Sequence, residues 1–529
     1  MRIFFCYIFI QIISVTHFFS QNSTWERIYG LSNRYENCYY VQRTYDNGLL
    51  FSIIFLSDST YGNIKYSSWL LKTDINGIPL WSKYYYSSDY MFVLCGMDSS
   101  NDGDVILTGQ TNEVDEEGDV FIMRINSCGE KIWCKYLHFP DVNYGWRVKH
   151  LTGGRYLLQS LYASNEPFIE ENQLWILDST GTVISCAQIV PNYNNPYLKW
   201  PGIRDVLLTS DTGYLLPGFG YIQDTASPQQ WYRLQHLLVK TDSLGNEIWM
   251  RPDSLNLAYV GSLISATEYN NNYYVVGYTK DLIPKWYPYF AKVNQDGDII
   301  YEKILHPDTL LNTLIGILYS DYKFFHLGQC FYTESSPIFT GVFRTDTLGN
   351  LEKCLENFNG TPSGGAFTGS IDSKFLIGGY SPIVYSSANQ VDAWAMKVNS
   401  NLDYDTLYEF PFLYDSLCPF PITTDTVDCD CDLITGFGES VKIEDRYTLK
   451  VFPNPAEDAI HFKFLDRAGD LERETKEIRI FDLMGKPVLK AEIGKEVSLN
   501  VSQLSPGVYV AVVVNDGQVL AKEKVVIIH

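Results

Sequence analysis

Positive charge is scarce in this 529-residue chain, where 40 Lys and Arg stand against 62 Asp and Glu for a formal net charge of −22. Such a surface repels phosphate backbones, which argues against nucleic acid as a partner. The acidic residues are scattered, so the surplus reads as a soluble acidic coat. Beyond the first twenty residues no apolar run is long enough to cross a bilayer as a helix, so no transmembrane segment is expected in the mature chain. A long 3.6-residue hydrophobic period is missing as well, which leaves no basis for a helical fold. Only 8 His occur, and their spacing matches no metal-ligand pattern. There is no Gly-x-Ser-x-Gly elbow, no P-loop and no His-Glu-x-x-His. No catalytic residue, metal ligand or cofactor is therefore assigned.

What is present is apolar and aromatic: hydrophobic residues make up 46% and aromatics 15%, with 39 Tyr. That is ample for packed cores, and the length calls for two or more units. The N-terminus, MRIFFCYIFIQIISVTHFFSQNST, places Arg2 before an apolar stretch and reads as a signal peptide over residues 1–20. Phe18 departs from the small-residue rule at a cleavage site, and an uncleaved anchor helix is the alternative. An exported chain can pair its cysteines. Cys128 and Cys134 flank one turn, and Cys418, Cys429 and Cys431 cluster late, but spacing leaves the connectivity open.

One hairpin is written repeatedly. KTDINGIPLW (72–81) returns as RINSCGEKIW (124–133), KTDSLGNEIW (240–249), KVNQDGDIIY (292–301) and RTDTLGNLEK (344–353). The turn glycines Gly77, Gly129, Gly181, Gly245, Gly297 and Gly349, with Asn401 in the seventh place, are 52 residues apart except for one interval of 64. A second turn signal precedes each, as in YDNGLL (45–50) and NDGDVIL (101–107), so each repeat holds two hairpins and four strands. Four short strands repeated at a period of about 52 predict an all-β fold and a seven-bladed β-propeller over residues 21–410. An open β-solenoid is the alternative. TWERIYG (24–30) resembles the outer strand EKIWCKY (130–136) yet precedes the first repeat, which predicts that it completes the last blade and latches the ring. Trp81, Trp133, Trp249 and Tyr301 lie four residues after their glycines, placed to cover the seam with a neighbouring blade. Gly77, Trp81, Gly129, Trp133, Gly245, Trp249, Gly297 and Gly349 are therefore read as structural. The Asp-x-x-Gly-x-x-x-Trp pattern also resembles the docking motif of quinoprotein dehydrogenases, but the further cofactor positions of that family are not found.

Residues 411–446 carry Pro, Thr, Asp and three Cys and read as a linker. Its DCDCD (428–432) matches no zinc or calcium spacing, and a disulfide staple is the preferred reading over a metal site. From residue 447 alternating apolar residues between turn signals give six to seven strands, a small Ig-like β-sandwich over 447–529. Pro453, Asn454 and Pro455, then FDLMGKPV with Gly485, the L-S-P-G-V-Y turn with Gly507 and Tyr509, and the basic end with Lys524 resemble the type A C-terminal sorting domain of the type IX secretion system of Bacteroidota. The resemblance implies a route: signal peptide, periplasm, then export by the type IX machinery, with a sortase-like signal peptidase removing the domain. The product would be secreted, extracellular or attached to the outer-membrane surface.

For the repeat region two readings remain. One is a binding or structural module with a glycan or peptide ligand, its loop aromatics WYPY (286–289) and NYNNPYLKW (192–200) being the contact candidates. The other is a polysaccharide hydrolase or lyase with carboxylates from several blades at the propeller mouth. A cluster of partly buried Asp or Glu with a Tyr or His there would favour the enzyme. The S-x-D-x-G-x-T-W box of sialidases is absent.

Overall fold

A computed structural model describes residues 25–433 except 31–34, 58–64, 86–90, 113–117, 138–141, 166–167, 190–197, 224–231, 253–259, 281–285, 306–312, 331–338, 357–360, 382–390, 405–406, 409–411, 415–424 and 428–430. It also describes residues 447–528 except 457, 467–475, 482–486 and 516–517. The expected signal peptide lies outside the described residues. Among those described, every regular element is a strand, and no helix is long and apolar enough to cross a membrane. The chain divides into two compact units, Met1–Phe437 and Gly438–His529.

In the first unit the strands follow one another in antiparallel groups of four. Glu36–Arg43, Leu49–Ser57, Lys65–Thr73 and Pro79–Tyr85 pair in chain order, and Phe92–Ser99, Val105–Thr111, Asp119–Ile125 and Lys131–Leu137 repeat the arrangement. The inner and outer strands of a group have different environments. Val105–Thr111 and Asp119–Ile125 are buried at every position but one, whereas Ile299–Ile304, an outer strand, alternates half-buried with exposed. The middle strands are thus covered on both faces, which accounts for their near-continuous apolar runs. Cores form between groups: Leu50, Leu70 and Trp81 of one pack with Phe92, Leu107 and Phe121 of the next.

The repeated turn has one geometry. Asp74 Oδ1 accepts hydrogen bonds from the backbone N–H groups of Asn76 and Ile78 at 2.8 Å, and Gly77 N–H donates to the Asp74 carbonyl at 3.1 Å. Asn126, Asp178, Asp242, Asn294 and Asp346 do the same in their turns. Each turn needs a residue in the left-handed region three places on, and Gly77 (φ 76°) through Gly349 (φ 73°) supply it without steric cost. In the last group the anchoring side chain is Asn399, and the left-handed residue is Leu402 (φ 56°), not Asn401. Leu402 is held there by burial, at 1% exposure.

The latch is formed as the sequence predicts. Glu26–Tyr29 pairs antiparallel with Asp392–Val398, placing Glu26 opposite Met396 and Tyr29 opposite Ala393. The C-terminal end of the first unit departs from the linker expectation. Asp425–Val427 adds a parallel strand beside Pro79–Tyr85, and Asp432–Leu433 adds one beside Lys131–Leu137. Cys431 is disulfide-bonded to Cys134, 297 residues away in sequence. Earlier in the same segment, Asn76 donates to the Tyr408 carbonyl and Tyr414 Oη accepts from Ile75 N–H. Apolar burial of Val427 and the covalent bond draw this stretch onto the sheets instead of leaving it free.

The second unit has two antiparallel sheets. Tyr447–Phe452, Ala459–Asp466 and Glu496–Asn500 form one; Pro487–Ile493, Lys476–Phe481, Gly507–Asn515 and Gln518–Ile527 form the other. They share a core that includes Ile460, Phe462, Phe464, Ile478, Ile480, Val513 and Val525.

Candidate functional site

The residues singled out in the hairpin repeat lie at contacts between one group of strands and the next. A Cβ built on Gly129 would come within 3.0 Å of the Trp81 ring; Gly181 has the same relation to Trp133, and Gly297 to Trp249. Trp133 Nε1 donates to the Ser179 carbonyl, Trp249 Nε1 to Gln295 and Tyr301 Oη to Thr347, so each ring also ties itself to the neighbouring turn. Gly349 faces Phe290, and Gly245 faces Ala187 and Leu174, where no aromatic stands. Trp25 completes the series: its indole N–H donates to the Ile75 carbonyl, and its ring closes on Gly77. These residues sit at the contacts between neighbouring groups of strands.

Polar chemistry gathers instead on the first strands of the groups, which face a cavity of about 240 Å³. In each of these strands the pairing slips at one place: between Cys38 and Tyr40, Leu94 and Gly96, Gly145 and Arg147, Leu263 and Ser265, and Leu314 and Gly316. Such a bulge re-aims the side chains that follow it. Tyr40, Arg147, Ser265 and Gly316 line the cavity, joined by Gln42 and Lys149 two residues further along their strands and by Asp205 from the segment after Leu198–Ile203. Ile315, Leu318 and Phe367 form its apolar side.

The charges there are ordered. Arg147 Nε donates to Asp205 Oδ1 at 3.2 Å, and Ser265 donates to Asp205 Oδ2 at 3.0 Å. Asp98 accepts from the Gln42 amide at 2.8 Å and from His150 N–H at 2.7 Å. Burial alone would raise the Asp98 carboxyl, but His150, Lys149 and Gln42 hold it below the usual carboxylate range. Burial pulls the Lys149 ammonium down, while Tyr40, Asp98 and Asp205 push it up and prevail, so it stays charged. Among the described residues, no hydrogen bond or ion pair reaches Lys149 directly.

None of these cavity residues was assigned from sequence. The available signal was the chain's own repeats in register: Ser265, Gly316 and Phe367 occupy one slot at intervals of 51 residues, differing in kind where the turn slot stays Gly. The proposed contact aromatics fare otherwise. Trp286–Val293 is a strand, with Tyr289 5% exposed and donating to Glu302, so that stretch is core and not loop. Residues 192–197 lie outside the described residues.

In the second unit, the Asn454 side chain bridges to the final strand, donating to the Lys524 carbonyl at 2.7 Å and accepting from Val526 N–H at 2.8 Å. Pro453 and Pro455 flank it on an exposed bend. Ala456 continues the clasp, donating to Val526 and accepting from Ile528. Tyr509 Oη donates back to the Ser505 carbonyl at 2.7 Å, closing the turn that ends at Gly507. Gly485 lies outside the described residues.

No curated protein matches the chain. Among solved structures it is similar to a protein of unknown function from Dyadobacter fermentans (9% identity, TM-score 0.38, covering 70% of this chain and 97% of that one). It is similar also to the β-propeller domain of the Trilobed protease from Pyrococcus furiosus (10%, 0.38, 71% and 99%). A third is PorZ, a surface component of the type IX secretion system of Porphyromonas gingivalis (9%, 0.20, 93% and 93%). The family comparison is confined to the second unit, where residues 450–528 match the secretion system C-terminal sorting domain. The segment that begins at the Asn454 clasp and ends on the strand it grips is therefore a sorting domain of the type IX kind, the address of a chain destined for export.

Proposed function

We propose that this chain is a binding module, secreted or held at the outer-membrane surface, whose scaffold is a closed seven-bladed β-propeller and whose Ig-like sorting domain directs export. Support for the ring comes from the Trp25–Gly77 contact, which repeats between the last and first groups the seam made by Trp81–Gly129 and Trp249–Gly297. Closure removes the exposed sheet edges that an open array would carry. The ligand site is the central cavity.

The observation that carries binding over catalysis is the state of Asp205, which lines the cavity, and of Asp98, which is bonded to the lining residue Gln42. Asp205 is neutralised by Arg147, and Asp98 is held ionised by its hydrogen bonds. Glycoside hydrolysis needs one carboxylic acid with a raised pKa to protonate the leaving group. Asp98, held below the usual carboxylate range, does not supply it, and Asp205 is ion-paired to Arg147. The enzyme reading keeps one favourable feature, the grouping of Asp98 and Asp205 with Tyr40 and His150, the constellation expected of a hydrolase or lyase. Screening the purified mature full-length chain against glycan and peptide arrays, with retention and product followed together, separates the two. Retention without product is the expected outcome; turnover of any retained glycan would overturn the binding reading.

A further inference from the structure

We propose that the central cavity binds a small organic carboxylate, an anionic head on a compact apolar body, with Lys149 as its counter-ion. This rests on the reading of the cavity as the ligand site. Three observations converge on it. Arg147 and Asp205 are bonded to each other, and Asp98 to Gln42 and His150, while among the described residues no hydrogen bond or ion pair reaches Lys149. Asp98 and Asp205 keep the half-buried Lys149 ammonium charged without bonding it, so its donors stay open to an anion that enters the cavity. Leu318 and Phe367 add apolar lining, and the Phe367 ring packs over Gly316, where a Cβ would come within 2.9 Å of it.

The partition resembles ligand pockets generally, in which apolar walls carry affinity and a few polar groups set orientation. At about 240 Å³ the cavity is below the usual range for drug-sized ligands, which restricts the occupant to one small molecule. In a chain of net charge −22, an anion gains nothing from the surface as a whole. Selectivity therefore has to come from the site. Lys149 supplies a charge-assisted hydrogen bond to the carboxylate, and Leu318 and Phe367 discriminate against strongly hydrated anions that have no apolar body.

The probe is benzoate, titrated into the purified full-length chain by calorimetry and by thermal shift, with benzamide as the neutral isostere and glucuronate and sulfate as hydrated anions. Benzoate is expected to bind and to raise the melting temperature, with benzamide, glucuronate and sulfate inert. Lys149→Met should weaken benzoate on the order of tenfold or more and slightly lower the unliganded melting temperature, because Asp98 and Asp205 favour the ammonium in the folded chain. Lys149→Arg should restore binding. Equal binding of benzamide, preference for glucuronate or sulfate, or full benzoate affinity in Lys149→Met would each overturn the proposal. Should Lys149→Met fail to fold, benzoate against benzamide on the wild-type chain decides alone. The two readings fail separately: array retention that survives Lys149→Met leaves the binding module standing and removes this ligand.

Discussion

His326 shows how far burial can take a single residue. It is 0% exposed, its Nε2 lies 2.9 Å from Thr345 Oγ1, and burial lowers its pKa from 6.5 to about 3. The unfolded chain takes up a proton below pH 6.5 that the folded chain refuses until about pH 3, so the stability contributed by neutral His326 is complete above 6.5 and lost progressively as pH falls. Denaturant unfolding at pH 5 should show about 2 kcal/mol of loss from this group relative to pH 7.5. His326→Phe should abolish that increment; an unchanged pH profile in the variant would mean that His326 is protonated in the native state. Among the eight histidines, whose spacing matches no metal-ligand pattern, His326 is buried and hydrogen-bonded. Its pKa is not legible in the sequence, because desolvation depends on the strands that cover it.

At the scale of the element, the hairpin repeats because the same local chemistry recurs. An Asx side chain caps the turn, a residue in the left-handed region closes it, and an aromatic four places on covers the seam. All of this lies within ten residues and was readable without a structure. The one misplacement is instructive: Asn is the better left-handed residue, so Asn401 was the natural choice, but the chain places Leu402 there because burial of its side chain outweighs the backbone strain. The latch strand makes a test of its own. Trp25 is 0% exposed and joins the last group to the first through Ile75, 50 residues further along the chain. Trp25→Ala should cost about 3–5 kcal/mol in chemical unfolding, the range for a buried Trp. Proteolysis of the variant should begin near residues 24–30 and 392–398, where the last pairing is lost; cleavage starting elsewhere would show that the strand is not what holds this group.

For the whole molecule, the segment read as a linker does structural work. Residues 425–427 and 432–433 each lie along an outer strand, and Cys431 is bonded to Cys134 across 297 residues. Cys128 is disulfide-bonded too, whereas Cys38, Cys95 and Cys186 are free thiols; burial raises Cys95 and Cys186 to about 12, which leaves them unreactive. Cys431→Ser should therefore destabilise the first unit by about 2–4 kcal/mol, with the loss reproduced by reductant on the wild-type chain. If reductant lowered the melting temperature of Cys431→Ser as much as that of the wild type, the stabilising bond would lie at Cys128 instead.

The sequence by itself determined the all-β character, the period, the latch and the sorting domain. Those features rest on contacts between near neighbours or on words confined to one short unit, so residue order carries them. Only the tertiary structure decided the cavity. Arg147 and Asp205 are 58 residues apart, Gln42 and Asp98 are 56, and Lys149 is left over only after both pairs have formed. No local rule encodes such an arrangement: it depends on which strands meet and on where each one slips its register.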